Sequence, residues 1–160
     1  MKKCFNKQKY IICIYILLSV FTINIVQSCT KKKITLKAAK DDIIEVIYYK
    51  NDSIDLEVKG IYEKAYIKAG IYIKIDNDFY YSGKKGSKYL MFSTKKDTVF
   101  EYENENELNY LYEIKKVSNN CFKTTCIYVN EYDEKHIFQI IYYDKDYKIF
   151  KIFRNGKNYE

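Results

Sequence analysis

Cys121 and Cys126 lie five residues apart, and His136, the one histidine of the chain, follows ten residues later. Thiols and an imidazole are the ligands of zinc and the partners of nucleophilic catalysis. A structural zinc site takes four ligands in closely spaced pairs, so here a carboxylate would have to complete the set. A nucleophilic cysteine needs an activating neighbour, and the sequence places none beside either thiol. Two readings remain for the cysteines. Either they form a disulfide, or Cys126 is a small buried hydrophobe sharing a strand face with Phe122, Thr124 and Tyr128. The bridge requires a bend between them: five residues of continuous strand span roughly 16 Å, whereas bridged Cα atoms lie within about 7 Å. His136 reads as a partly exposed residue beside a turn.

Carboxylates supply the next candidates. Glu101, Glu103, Glu105 and Glu107 share one face if their segment is extended, an acidic ladder suited to a cation or a basic partner. Calcium loops place a glycine at a sharp turn among their ligands, and this run has none, so repelling carboxylates on a hairpin loop are the simpler reading. Asp76/Asp78 and Asp144/Asp146 read as turns. Gly83-Lys84-Lys85-Gly86-Ser87-Lys88 holds the letters of a phosphate loop, but two residues separate its glycines where the Walker pattern has four. It reads as a basic hairpin loop. Lys84, Lys85, Lys88, Glu103, Glu105 and Glu107 are therefore candidate partner contacts. No catalytic residue, metal ligand or cofactor site is assigned.

Composition narrows the partners. The net charge of +7 includes four lysines before residue 29, leaving 24 basic against 21 acidic residues beyond it. That is no electrostatic footprint for nucleic acid. Only Arg154 among the 28 basic residues is an arginine, and bidentate recognition of bases or phosphates relies on guanidinium forks. Nineteen tyrosines with no tryptophan or proline match the bias of an AT-rich genome. Tyrosine also suits half-buried strands and could furnish an aromatic face for a carbohydrate or peptide.

The first thirty residues carry an address. Lys2, Lys3, Lys7 and Lys9 precede an apolar run from Tyr10 to Val26, which ends in Val26-Gln27-Ser28-Cys29. A basic start, an apolar middle and a small residue before a cut make a secretory signal, and the cysteine after Ser28 resembles the lipobox of bacterial lipoproteins. Gln27 departs from the usual small residue there. The resemblance implies cleavage before Cys29, acylation of that cysteine and a membrane-anchored body. Cleavage to a secreted form and retention of an uncleaved helix are the alternatives, the run of seventeen residues being at the lower limit for a span. Thr30 in place of an acid implies the outer membrane, with the body facing the periplasm. The expected division is a signal peptide over residues 1–28, a basic tether over 29–40 and one domain over 41–160.

That domain reads as all-β. Ile54, Leu56 and Val58 alternate with Asp55, Glu57 and Lys59, a one-faced strand. Ile43 to Tyr49 is apolar with one interruption, Glu45. Ile71, Ile73 and Ile75 alternate with Tyr72 and Lys74. Further segments fall at Phe79 to Tyr81, Tyr89 to Ser93, Thr98 to Tyr102, Leu108 to Ile114, Phe122 to Val129, Ile137 to Tyr143 and Tyr147 to Phe153, and Asn155-Gly156 closes the chain. Ala38 to Ile44 and Glu103 to Tyr112 have room for a short helix. Nine or ten short strands with short connections predict an antiparallel meander, either a small barrel or a strongly bent sheet or sandwich. Tyr48 to Asp52, Gly60 to Tyr62, Gly70 to Tyr72 and Tyr80 to Gly83 are similar to tyrosine–glycine hairpins of MORN type, although the spacing drifts and later glycines are missing.

The expected function is non-catalytic: an envelope module that binds a protein, glycan or lipid. An inhibitor or immunity-type lipoprotein is the alternative, acting through the Gly83–Lys88 or Glu103–Glu107 loop. An enzyme is the third, and it would need a pocket with two or more convergent acids or a histidine-centred group.

Overall fold

The computed structural model describes residues 32–38, 43–60, 65–82, 86–95, 97–103 and 109–160. The signal segment with Cys29 lies outside them, as do Lys84, Lys85, Glu105 and Glu107. Sheet A comprises β1 (Lys32–Lys37), β2 (Ile43–Tyr49), β3 (Ser53–Gly60), β4 (Ile67–Ile75), β5 (Asp78–Ser82) and β6 (Lys88–Phe92). Sheet B comprises β7 (Thr98–Glu103), β8 (Asn109–Ser118), β9 (Cys121–Val129), β10 (Lys135–Tyr143), β11 (Ile149–Arg154) and β12 (Lys157–Tyr159). Each sheet is an antiparallel meander in sequence order, and together they make a sandwich, not a closed barrel. Ile43 and Ile44 belong to β2 and Asn109 to Tyr112 to β8, which takes both ends of the two short-helix segments into strands.

Two strands exceed the expected ten. β1 occupies part of the stretch read as tether: Lys32 and Lys33 hide a strand whose Leu36 is 4% exposed and belongs to the core. β12 follows the Asn155-Gly156 turn, where both residues take positive φ, 51° and 76°. That pair is the strongest short hairpin signal, since both central residues of the favoured two-residue turn need φ above zero. It joins β11 to β12 and buries Tyr159 to 2%.

The core lies between the sheets. Leu36, Ile47, Ile54, Leu56, Phe92, Phe122, Ile141, Ile149 and Ile152 pack there with Tyr72 and Tyr143. Ile54 and Leu56 face inward as their alternation requires. β4 does the opposite of what its isoleucines suggest. Tyr72 is buried to 5%, whereas Ile73 is 44% exposed. Leu56 stands opposite Gly70, and the register slips between Leu56 and Glu57. A Cβ on Gly70 would lie 2.9 Å from the Tyr72 hydroxyl, so the missing side chain is what admits the tyrosine ring. Gly70→Ala is expected to cost about 1–3 kcal/mol by overpacking, seen as a lower urea midpoint, with the smaller loss expected in a Gly70→Ala/Tyr72→Phe double variant.

Tyrosine hydroxyls stitch the two sheets. The Tyr143 hydroxyl donates to the Ser93 carbonyl at 2.9 Å and accepts from the Ser93 amide at 3.1 Å. The Ile149 amide donates to the Tyr49 hydroxyl at 2.6 Å. The Thr124 hydroxyl donates to the Met91 carbonyl. Buried polar tips need partners, and here each finds one on the facing sheet. Burial pushes both Tyr49 and Tyr143 up to about 12, so these hydroxyls stay neutral.

Candidate functional site

Cross-strand register lines up one row across the inner face of sheet B: Tyr112 opposite Cys126, Cys126 opposite Gln139, and Gln139 opposite Arg154. Residues directly opposite share a face. Glu45 of β2 meets this row from sheet A, with Nη1 of Arg154 2.9 Å from its Oε1. The chain's one arginine thus pairs with the acid that interrupts the Ile43 to Tyr49 run. Glu45 is fully buried. The contact is charge against charge: neither Glu45 oxygen nor Arg154 Nε has an aligned hydrogen bond, and Gln139 Nε2 also lacks one. Burial raises the Glu45 carboxyl to about 7 against the opposing pull of Arg154. Desolvation outweighs Coulomb attraction here, as it does for many buried pairs.

Both cysteines are free thiols. β9 runs unbroken from Cys121 to Val129, so no bend brings them together and no bridge forms between them. Cys126 is buried on the face of Phe122 and Thr124, and burial pushes its thiol up. It is a packing residue with a muted nucleophile.

Beyond the row, the inner face of sheet B emerges into solvent. Tyr110 stands opposite Tyr128, and Tyr128 opposite His136. They follow Tyr112 and Cys126 at a spacing of two, so they point the same way. The register shifts between Ile137 and Gln139, and this bulge turns the Phe138 ring to within 6.1 Å of Tyr110. Tyr110 and Tyr128 are 5.9 Å apart, and His136 stacks on Tyr128 at 6.4 Å and 27°. These four rings with Ile137 and Asn155 line a hollow of about 320 Å³. His136 is 60% exposed, with Nε2 3.6 Å from Oε2 of Glu134, the exposed, turn-flanking position expected for it. Asn155 adjoins Arg154 and Phe138 adjoins Gln139, so the aromatic ledge continues from the buried charged row.

Other candidates lie apart from this ledge. Lys88 opens β6 and is exposed. Glu103 closes β7 and Glu101 lies on the same strand, so the described part of the acidic ladder is extended. A second hollow, about 350 Å³, is lined by Glu101, Asp133 and Lys135 together with Tyr110, Leu111 and Val129. Two acids on one groove meet the composition an enzyme would require. Both are exposed, whereas acid–base pairs are set apart by differing burial. Among the described residues no group of three histidine, cysteine or acidic side chains is placed to hold a metal ion.

The ledge was not legible from sequence, because Tyr110, Tyr128, His136 and Phe138 come from three strands and meet only through register. Compared with protein-family models, curated proteins and solved structures, the chain matches none.

Proposed function

We propose that this chain is a lipid-anchored protein of the bacterial envelope, acylated at Cys29 and facing the periplasm, that acts by binding and not by catalysis. The observation that carries the binding reading is the ledge of Tyr110, Tyr128, His136 and Phe138, four aromatic rings around one hollow. Ligand sites are hollows lined by aromatic surface with a few polar groups that fix orientation. Ring faces stack on the apolar faces of sugars, while His136 and Asn155 offer donors and acceptors to hydroxyls. The ligand class that suits this lining is an envelope glycan.

The chain has no tryptophan, so its emission comes from tyrosine, and Tyr110 and Tyr128 of the ledge contribute to it. Titration with soluble envelope polysaccharide fragments is expected to change that emission saturably. Tyr128→Ala is expected to weaken binding roughly fivefold to tenfold, the scale of one lost ring contact. Fragments that bind the variant as tightly as the parent would place the site elsewhere. A stoichiometric enzyme recovered in place of glycan by affinity capture from the envelope would favour the inhibitor reading.

A further inference from the structure

We infer that the outer face of sheet A lies flat against an anionic lipid surface. The inference rests on the proposed acylation of Cys29 and adds what that anchor does to the body. β1 begins at Lys32, so only Thr30 and Lys31 separate it from Cys29. Three Cα steps reach at most about 11 Å. An acylated Cys29 therefore holds the sandwich against the headgroups, with no long leash on which to tumble.

The face this brings to the membrane has the matching chemistry. Lys33 stands opposite Tyr48 on β1 and β2, one residue off the inward positions Ile34 and Ile47, so both point outward. The Lys33 ammonium lies 5.7 Å from the Tyr48 ring and 5.8 Å from Tyr66, and Lys59 lies 5.0 Å from Tyr66. Tyr66 is 41% exposed. Lysines over tyrosine rings suit a headgroup boundary, where an amphipathic ring sits at the interface and an ammonium meets lipid phosphate. The inversion of β4 belongs to the same surface. Having Tyr72 inside puts Ile71 and Ile73 outside, on the face of Lys33 and Lys59. Among the described residues the acids of this face are Asp55, Glu57 and, opposite Ile75, Asp78; Asp55 is already paired with Lys50 and Asp78 with Lys95.

The test uses the full chain, made in a bacterium that processes lipoproteins and reconstituted into vesicles. One set is phosphatidylcholine, the other phosphatidylcholine mixed with phosphatidylglycerol. A membrane-impermeant amine-reactive ester labels lysines, and mass spectrometry reads each site. In anionic vesicles Lys33 and Lys59 are expected to label about fivefold more slowly than in detergent. Lys115 and Lys123, on the outer face of sheet B, are expected to label equally in both. The K33E/K59E double variant is expected to remove protection from Lys68, which stands opposite Glu57 on the same face, without altering the circular dichroism spectrum. Equal labelling of Lys33, Lys59, Lys115 and Lys123 in every state would overturn the inference. Intact mass separates the two readings: acyl groups with unprotected lysines leave the anchor and remove the surface. Protected lysines on an unacylated chain leave the surface and remove the anchor.

Discussion

Arg154→Met is expected to lower the unfolding free energy by roughly 3–5 kcal/mol at pH 8, measured by urea denaturation. The loss comes less from the attraction removed than from the charge left behind, because Glu45 is fully buried and has no other cation beside it among the described residues. The pH dependence identifies the cause. Glu45 has a carboxyl raised from 4.5 to about 7 by burial, with Arg154 pulling the other way. Between those values the folded chain holds a proton that the unfolded chain has released. The associated stability is complete below about pH 4.5, falls as pH rises to about 7, and is level above that. The span is about 3 kcal/mol. Glu45→Gln is expected to flatten this part of the profile, read as the difference between variant and parent. At pH 5, where Glu45 carries its proton, Arg154→Met should cost distinctly less than at pH 8. A double variant, Glu45→Gln with Arg154→Met, should recover most of the loss at pH 8. Equal cost of Arg154→Met at both pH values would show that its stem, and not its charge, is what the fold requires.

Phe92→Ala is expected to be as damaging at every pH. Phe92 is fully buried, and its ring meets Tyr72 at 4.8 Å, Tyr143 at 5.1 Å and Phe79 at 6.4 Å, all edge-to-face. Tyr143 belongs to sheet B and the other three to sheet A, so this one ring joins the aromatic packing of both halves. Truncation forfeits the transfer energy of the ring and leaves a cavity, together about 3–5 kcal/mol. For a domain of this size the midpoint of thermal unfolding should fall by roughly 10–20 °C. Phe92→Leu, which keeps most of the volume, should lose less than half as much. A midpoint unchanged by Phe92→Ala would mean that the sheets do not depend on this junction.

The parts of the fold that could be seen in the sequence are those set by local pattern. Ile54 and Leu56 alternate with charges, and the strand they form is buried on that face. The ten internal strands all fall on segments marked out by apolar residues between turn signals, which are properties of each segment alone. Where two segments compete, pattern misleads. The isoleucines of β4 outrank Tyr72 in apolarity, yet Tyr72 takes the core because Gly70 leaves it room, a fact about packing and not about sequence. β1 is concealed by Lys32 and Lys33, which belong to its exposed end, and Leu36 with Ile34 beside it commits it to the core. β12 is three residues long, too short for any alternation, although the Asn155-Gly156 turn announces a hairpin. The charged pair stands between these cases. Glu45 is conspicuous as the acid in an apolar run and Arg154 as the one arginine, and only the sandwich shows that each is the other's partner. For the aromatic ledge there was no local signal, since a chain with nineteen tyrosines does not reveal which of them stay in solvent.

The meeting of β1 with the residues that follow β12 bears on the order in which the sandwich can close. Lys37 and Glu160 exchange both backbone hydrogen bonds, each 3.1 Å long, while Tyr159 fills the core. β1 of sheet A is therefore latched to the residue that follows β12 of sheet B. The two sheets therefore lock at this seam only when β1 and the residues after β12 are both in place, so loss of either opens the same junction.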